Sequence, residues 1–580
     1  MEEAKLNNQQ LAQVFNLIGD LLEIKGEVIY VILAYRKASE SLQNLGREAA
    51  DHWKEGTLKE IPGVGKAIAE KIDELLSTGQ LKFLEELKKE IPAELAEWKQ
   101  IPGLGPKKIA LIWKSLDITT MDQLRAAAEN GKIAALPGMG EKSASMILQG
   151  MDSLSRRSDR LPLWKAAPIV QELVRALGKL PNVSAVSPAG SYRRGRSTVG
   201  DIDILVASTD AAAVMDTFTS LPGISRIHGK GQTKSSVEFT NGVRAQVWVH
   251  PPQKYGTALQ YATGSKEHNV ALRQLALSKG YSLSEHSLAD VNGNEILCAT
   301  EQEVYKTLGL DWVPPEMREG LGEIDLAAKG QLPTLIQLSD IKADLQNHST
   351  WSDGQLSILE MSRLAIRRGI KVIAFTDHSQ SLGVTGGLTI ARHAEQHLEI
   401  QSAQRELGDQ IRILHATEVE IKADGELDYP DDFLASLDLV LASLHTSLRQ
   451  PREKVTQRLL NAINNPHVDI IGHPTGRKIP DREGADLDME AVLQAAAKSG
   501  VAMEINASPY RLDLDDKYAR RAKDLGVRIS INTDSHSEED MQAMVFGVQI
   551  ARRAWLTAPE VINTWPTEKL LAWLKDKKSV

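Results

Sequence analysis

At 580 residues the chain exceeds what one hydrophobic core can organise, and its 42% hydrophobic and 25% charged residues exclude a disordered or fibrous class. A net charge of −9 excludes a broadly basic surface for nucleic acid, so any phosphate backbone must be held by local devices. No apolar run nears the ~20 residues of a bilayer span, no signal-peptide layout opens the chain, and the one cysteine, Cys298, excludes an internal disulfide, so a cytoplasmic protein without membrane contact is expected.

In chain order, apolar spacings of three and four predict helices over Gln10–Ile24, Val28–Leu42 and Ile68–Leu76. One pattern punctuates this region three times, as Ile61-Pro-Gly-Val-Gly65, Ile101-Pro-Gly-Leu-Gly105 and Leu136-Pro-Gly-Met-Gly140. Two glycines around an apolar residue form a turn that Cβ atoms would obstruct, and the next helix opens with outward N–H groups suited to a phosphate. One copy would read as a plain helix connection. Three copies favour contact with a DNA backbone at Gly63, Gly65, Gly103, Gly105, Gly138 and Gly140, and they resemble helix–hairpin–helix motifs. Just beyond the first copy lies Lys71, a candidate nucleophile if its pKa is depressed, although helix-surface lysines are usually only solvated.

Strands are predicted over Val183–Val186, Asp201–Ala207 and Val243–Val249. Between the first two runs Gly190-Ser-Tyr-Arg-Arg-Gly-Arg-Ser-Thr-Val-Gly-Asp-Ile-Asp203. A Gly-Ser turn offers donors to a triphosphate, and Arg193, Arg194 and Arg196 can neutralise it. Asp201 and Asp203, two apart on a strand, present both carboxylates on one side, as a Mg²⁺ cage requires.

This layout resembles DNA polymerase beta and the wider family X polymerases over residues 1–315. Further matches are Ala34-Tyr-Arg-Lys-Ala38, the first hairpin with its helix, and Tyr261-Ala-Thr-Gly-Ser265 followed by Asn269 and Arg273. The resemblance implies a helical DNA-binding and lyase-like domain over 1–80 and a second helix–hairpin–helix, fingers-like region over 81–160. It implies an α+β nucleotidyltransferase palm with its nucleotide-selecting subdomain over 161–315. It places dNTPs against Gly190, Ser191, Arg194, Gly200, Tyr261, Gly264, Asn269 and Arg273, and Mg²⁺ or Mn²⁺ on Asp201 and Asp203. In that picture Tyr261 checks the sugar, Asn269 touches the minor groove, and Lys71 matches the Schiff-base lysine of lyase-active members. Two departures stand out: the third metal-binding aspartate is Gln246, and the aromatic after Tyr261 is Ala262.

Prolines and lost periodicity mark 316–339 as a linker. Beyond it, strand and helix alternate. Strands predicted over Ile341–Leu345, Val372–Thr376, Ile411–Leu414, Leu437–Leu444, Val468–Ile471, Val501–Ile505 and Val527–Asn532 nearly all lead into a His, Asp or Glu. Nine of the fourteen histidines fall between His348 and His536. Alternating β and α closes most readily into a barrel whose sites gather at the strands' C-terminal ends. A lone histidine there is usually structural. Repetition at His348, Asp353, His378, Glu418, His445, His473, Asp534 and His536 instead predicts a cluster of two to three Zn²⁺, Mn²⁺ or Fe ions.

Residues 340–575 resemble the PHP (polymerase and histidinol phosphatase) family, through Asp344-Leu-Gln-Asn-His348, Thr376-Asp-His378, Gly472-His-Pro474 and Thr533-Asp-Ser-His536. The usual first histidine of the first motif is Gln346 here. The whole chain resembles bacterial family X polymerases that carry this domain. The expected architecture is therefore multidomain α and α/β, with a helix–hairpin–helix N-terminal region, an α+β palm and a distorted (β/α)7 PHP barrel. The implied function is a monomeric DNA-repair polymerase that fills gapped or nicked DNA with dNTPs and removes 3′ ends as a 3′→5′ exonuclease. A DNA-binding nuclease with a weakened polymerase core is the alternative, supported by Gln246. A small-molecule phosphatase would leave the three hairpins unexplained.

Overall fold

The computed structural model describes residues 6–43, 45, 48–61, 63–101, 104–156 and 160–577. The chain divides between residues 159 and 160 into two compact units.

The first unit is helical. Its opening helix α1 (Asn8–Lys25) is closed at the start by a reciprocal cap between Asn7 and Gln10, and at the end by Gly26 at φ 86°. Leu11, Phe15, Ile18 and Leu22 bury one stripe of α1 against α2 (Ile29–Gln43), which contributes Ile32, Tyr35 and Leu42. The remaining helices include α3 (Lys66–Thr78), α4 (Pro106–Leu116) and α5 (Glu141–Arg156), each beginning just after one glycine pattern.

The second unit opens with the helix Leu163–Gly178, which precedes a five-stranded sheet made of β1 (Val183–Pro188), β2 (Ile202–Ser208), β3 (Ile224–Lys230), β4 (Lys234–Phe239) and β5 (Arg244–His250), in the order β1-β2-β5-β4-β3. Only β2 and β5 run parallel. Strand alternation explains its two faces. Ile202, Ile204 and Val206 join Ala245, Val247 and Val249 in the core, which leaves Asp203 and Gln246 side by side on the opposite face. Farther along that face Leu205 and Ala207 pack against helix α7 (Tyr255–Thr263), so only the end bearing the carboxylates stays uncovered.

The linker stretch 316–339 is ordered rather than loose. It contains the helix Glu323–Lys329 and buries Met317, Glu319, Glu323 and Ala327.

Then seven parallel strands follow in sequence order: β6 (Ala343–Asn347), β7 (Val372–Phe375), β8 (Arg412–Glu420), β9 (Leu439–Ser443), β10 (Ile470–Gly472), β11 (Ala502–Asn506) and β12 (Ile529–Asn532). Asn347 and Ser535 bridge the first and last strands, so the barrel nearly closes, as expected. Its interior holds Leu345, Ala374, Ala416 and Leu441, with Ile562, Trp565 and Trp573 joining the same core. Asn563 bonds the first residue of β6 and the backbone of β12, so this segment caps the strands' N-terminal end. The other end remains for chemistry. No helix among the described residues is long and apolar enough to cross a membrane.

Candidate functional site

The barrel strands bring their terminal residues to one point. Glu418, on β8, sits at its centre: Oε1 approaches His473 Nε2 at 2.9 Å and His445 Nε2 at 3.3 Å, while Oε2 approaches His378 Nδ1 at 3.2 Å and His348 Nε2 at 3.4 Å. Asp534 Oδ1 is 3.1 Å from His348 Nε2, and Asp353 stands 3.4 Å from His536 Nε2 and 3.6 Å from His378 Nε2. Three overlapping donor sets result: His348, Asp353, His378 and His536; His378, Glu418 and His445; and His348, Glu418 and Asp534.

These residues fit metal ions. Donors about 2.1 Å from a tetrahedral ion stand about 3.4 Å apart, which is the spacing seen here. Both Glu418 oxygens, both ring nitrogens of His348 and His473, and His445 Nε2 are buried without a hydrogen-bond partner among the described residues. Buried polar atoms are rarely left so unless a ligand belongs there. Gln346 is likewise buried with neither amide atom bonded, and its carbonyl oxygen is a weaker donor in the place of the usual histidine.

Electrostatics follow from the crowding. Burial would raise Asp353, but hydrogen bonds from His378 and His536 hold it well below the usual carboxylate range. Burial opposes charge on His445 and His536 too, yet Glu418 and Glu420 bring the first up to about 9, and Asp353 and Asp534 bring the second up to about 10. Without enough anionic partners, His473 is pushed down to about 4 by burial and Arg511.

Several positioning groups lie outside the sequence patterns. Glu420 accepts from His445 Nδ1 at 2.8 Å and from the backbone N–H of His445 and Thr446, fixing that ring's orientation. A signal for it exists in the sequence, since Glu418 and Glu420 share one strand face. Asp377 does not join the cage; it gathers Ser349, Ser352 and Gln396, and so shapes the loop that carries Asp353.

In the palm, Gly190 opens the helix α6 (Gly190–Arg193) at φ 57°, and a Cβ there would stand 2.3 Å from an Asp203 oxygen. Glycine is thus required for that carboxylate's position. Burial and the neighbouring Asp201 push Asp203 up to about 7, a state that a bound cation would reverse. Gln246 Nε2 donates to Asp201 Oδ2 at 3.3 Å. Glu238 does not replace the missing carboxylate. It pairs with Arg244 and receives His228 at 2.8 Å, and Ser236 is the residue registered opposite Gln246.

Each of the three arginines has a carboxylate partner in the structure. Arg193 is bound to Glu301 at 2.7 Å, while Arg194 and Arg196 share Glu319 at 3.1 and 2.8 Å. Carboxylates distant in sequence already neutralise them, which no local pattern could announce. Arg194 also donates to Thr263 O at 2.6 Å, beside Gly264. Asn269 Nδ2 donates to Tyr261 O at 2.8 Å, so those two meet, whereas Arg273 is exposed on the helix Lys266–Ser278. Ser191 is half-buried in α6, and Gly200 is exposed beside Asp201.

The first unit repeats one turn. Val64 N–H donates to Ile61 O, Leu104 to Ile101 O and Met139 to Leu136 O, at 3.0 to 3.1 Å. Gly63 and Gly138 take φ of 79° and 75°. Gly65, Gly105 and Gly140 have no such need, and a Cβ on any of them would meet nothing within 4 Å. Their space is open, as approach by another backbone requires. Gly103 lies outside the described residues. The Lys71 ammonium lies 5.1 Å from the Phe83 ring and 5.9 Å from the Tyr35 ring.

Comparison with known proteins agrees. Family models match as helix-hairpin-helix domain (6–81), SAM-like helix-hairpin-helix tandem (98–151), DNA polymerase beta palm (160–236), DNA polymerase beta thumb (258–319) and PHP domain (344–508). The DNA polymerase/3′-5′ exonuclease PolX of Bacillus subtilis (strain 168) is 36% identical over 573 residues, 98% of this chain and 100% of that protein. DNA polymerase lambda of Rattus norvegicus is 28% identical over 53% of this chain and 54% of its own length. A probable phosphatase of Thermoanaerobacter sp. (strain X514) is 32% identical over 41% of this chain and 97% of its own length. The chain therefore belongs to the family X DNA polymerases that carry a PHP domain.

Proposed function

We propose that this chain is a cytoplasmic DNA-repair enzyme that binds gapped or nicked DNA, adds dNTPs at the palm and hydrolyses 3′-terminal phosphodiesters in the barrel. The observation that carries the reading is a donor cage centred on Glu418 in the same compact unit as the Asp201–Asp203 pair.

In the barrel, His348, Asp353, His378, Glu418, His445, His473, Asp534 and His536 would hold two or three Zn²⁺, Mn²⁺ or Fe ions. Such ions, when bound, activate water and offset the charge of a phosphoryl transition state. The chain's residues set the stage for that. Glu418 joins the donor sets, Glu420 fixes the His445 ring, and Asp353, 31% exposed, marks the side open to solvent. In the palm, Asp201 and Asp203 would hold Mg²⁺ or Mn²⁺ against a triphosphate. Three glycine turns would hold the DNA backbone through amide N–H groups, which suits an acidic monomer.

The second reading, a nuclease with a weakened polymerase core, is favoured by Gln246, whose amide donates to Asp201 where a third carboxylate would serve. One experiment addresses both readings: purified protein is given gapped DNA with dNTPs, and separately a 3′-labelled strand with Mn²⁺. Incorporation and excision together support the first reading, excision alone the second, and neither removes both.

A further inference from the structure

A second histidine cluster lies outside the cage, in the layer between the barrel wall and a covering helix. Strand alternation sets it apart: Leu414 and Ala416 of β8 face the barrel interior, whereas Ile413 packs with the helices, and His415 shares its side. The helix Ile390–Leu407 brings His393 and His397 there, four residues apart and so on one helix face. His415 meets both rings, with centres 5.5 Å from His393 and 4.6 Å from His397. Two imidazoles that share one ion at about 2.1 Å hold their centres about 4.5–5.5 Å apart. Histidines within the donor sets of the cage keep similar spacings, His348 and His378 at 4.4 Å and His378 and His445 at 5.3 Å.

The nitrogens of this cluster are idle. Both ring nitrogens of His393, Nδ1 of His397 and Nε2 of His415 are buried without a hydrogen-bond partner among the described residues, and so is Gln396 Oε1. His393 is fully buried beside the Tyr429 and Phe433 rings. A histidine kept there only to fill apolar space would still need a partner, because a neutral imidazole always carries a donor and an acceptor. Burial holds His393 and His415 neutral, at about 3 and about 4, so their lone pairs are open to a metal at neutral pH. Asp438 lends negative charge, its Oδ2 accepting from the His415 backbone N–H at 3.0 Å. The Arg392 guanidinium is engaged by the carbonyls of Gly386 and Trp351.

We propose that His393, His397 and His415 bind one Zn²⁺ ion in a structural site separate from the cage. Three imidazoles without a carboxylate ligand favour Zn²⁺ over Mn²⁺ or Mg²⁺. His397 is half-buried and gives the ion its entry, and its ring turns on the side chain to complete the set around His415. Gln401, 2.8 Å from His397 Nε2, presents its amide oxygen to that N–H when Nδ1 takes the metal, the usual second contact of a ligating histidine. The ion pins the helix to β8. Gln396 of the same helix donates to Asp377, which gathers Ser349 and Ser352, so the pin also steadies from behind the loop that carries Asp353.

The test counts zinc per chain by elemental mass spectrometry on the full-length protein, stripped with chelator, reloaded with Zn²⁺ and desalted. His393→Phe, His415→Phe and His397→Gln should each hold one ion fewer than the wild type. His397→Cys, which restores a zinc ligand, should hold the full number. The same count with Mn²⁺ should not differ between the wild type and these variants. In a Glu418→Ala background, where the cage is broken, His397→Gln should still remove one zinc and should shrink the rise in melting temperature that Zn²⁺ brings. If either phenylalanine variant fails to fold, the His397 variants, at the half-buried edge, decide alone. Equal zinc counts in the wild type and His397→Gln overturn the proposal. So does a difference that disappears once Glu418 is replaced, because that ion then belongs to the cage.

Discussion

Gln246 replaces a carboxylate with an amide at the edge of a two-aspartate site, and the cost should fall on chemistry rather than on binding. Asp201 and Asp203 can still hold the ion that accompanies the nucleotide, whereas the ion at the primer 3′-hydroxyl loses one charged donor. Gln246→Asp should raise incorporation on gapped DNA with little change in dNTP affinity, measured by single-turnover extension. Equal rates in the two proteins would refute the idea. In the barrel, Glu418→Ala removes the one carboxylate shared between donor sets, so its excision rate should fall by more than the ~10–100-fold typical of outer positioning groups. His473→Ala should also reduce it, and wild-type rates in both would sink the assignment. Lys71 is tested by borohydride trapping on abasic DNA: a Lys71→Ala protein that cross-links fully excludes a Schiff-base role. At this scale the sequence marks most of the barrel donors, because they follow runs of apolar strand residues, although Glu418 lies inside β8 and Asp353 and His536 lie in the loops after β6 and β12. The roles of Glu319 and Glu301 are not legible, because the arginines of the Gly190–Asp203 segment that they hold lie more than a hundred residues away.

Elements explain the rest of what can be read. Periodicities of 3.6 and 2 predict α1, α2 and six of the seven barrel strands within a few residues, because each buries a continuous stripe or face, whereas β8 continues past the expected Leu414 to Glu420. The linker defeats that reading, since 316–339 is held by scattered burial and not by a regular pattern. The glycine turns yield a sharp prediction. Gly65, Gly105 and Gly140 face open space at ordinary φ, so changing each to Ala should cost little stability, at most about 1 kcal/mol as a helix N-cap. DNA affinity measured by anisotropy should nevertheless fall, because the added methyl occupies the approach to the amides. Unchanged affinity in the triple variant would show that the turns are only connections. Another element carries a pH dependence. His393, on the helix Ile390–Leu407, and His415, on β8, are pushed by burial from an ordinary 6.5 to about 3 and about 4. The unfolded chain binds these protons at higher pH than the folded one, so stability present above pH 6.5 is lost as pH falls toward 3. His393→Phe, beside Tyr429 and Phe433, should shrink the drop in melting temperature between about pH 7 and about pH 5. An unaltered drop would place the sensitivity elsewhere.

For the whole molecule, the division between residues 159 and 160 sets an expectation for unfolding. Palm, thumb and barrel share buried contacts, such as Trp555 of the C-terminal region packed with Leu272 and Met317, so they should melt together. Calorimetry should resolve one transition for residues 1–159 and one for 160–580; separate palm and barrel transitions would contradict this. The shared contacts include a charged one. Arg553, at the end of the barrel helix Met544–Arg553, donates to Glu319 at 2.8 Å and to the carbonyl of Arg194 at 2.7 Å, and also holds Asp516. Burial would raise Glu319, but these arginines hold it down at about 2, so it stays ionised at any ordinary pH. A Cβ on Gly195 would stand 2.9 Å from Gln549 of the same helix, leaving no slack in the contact. Writer and eraser are thereby riveted at the nucleotide loop. With the two sites fixed to each other in this way, a DNA end that is to pass from one to the other has to be moved as a strand and not carried by the barrel.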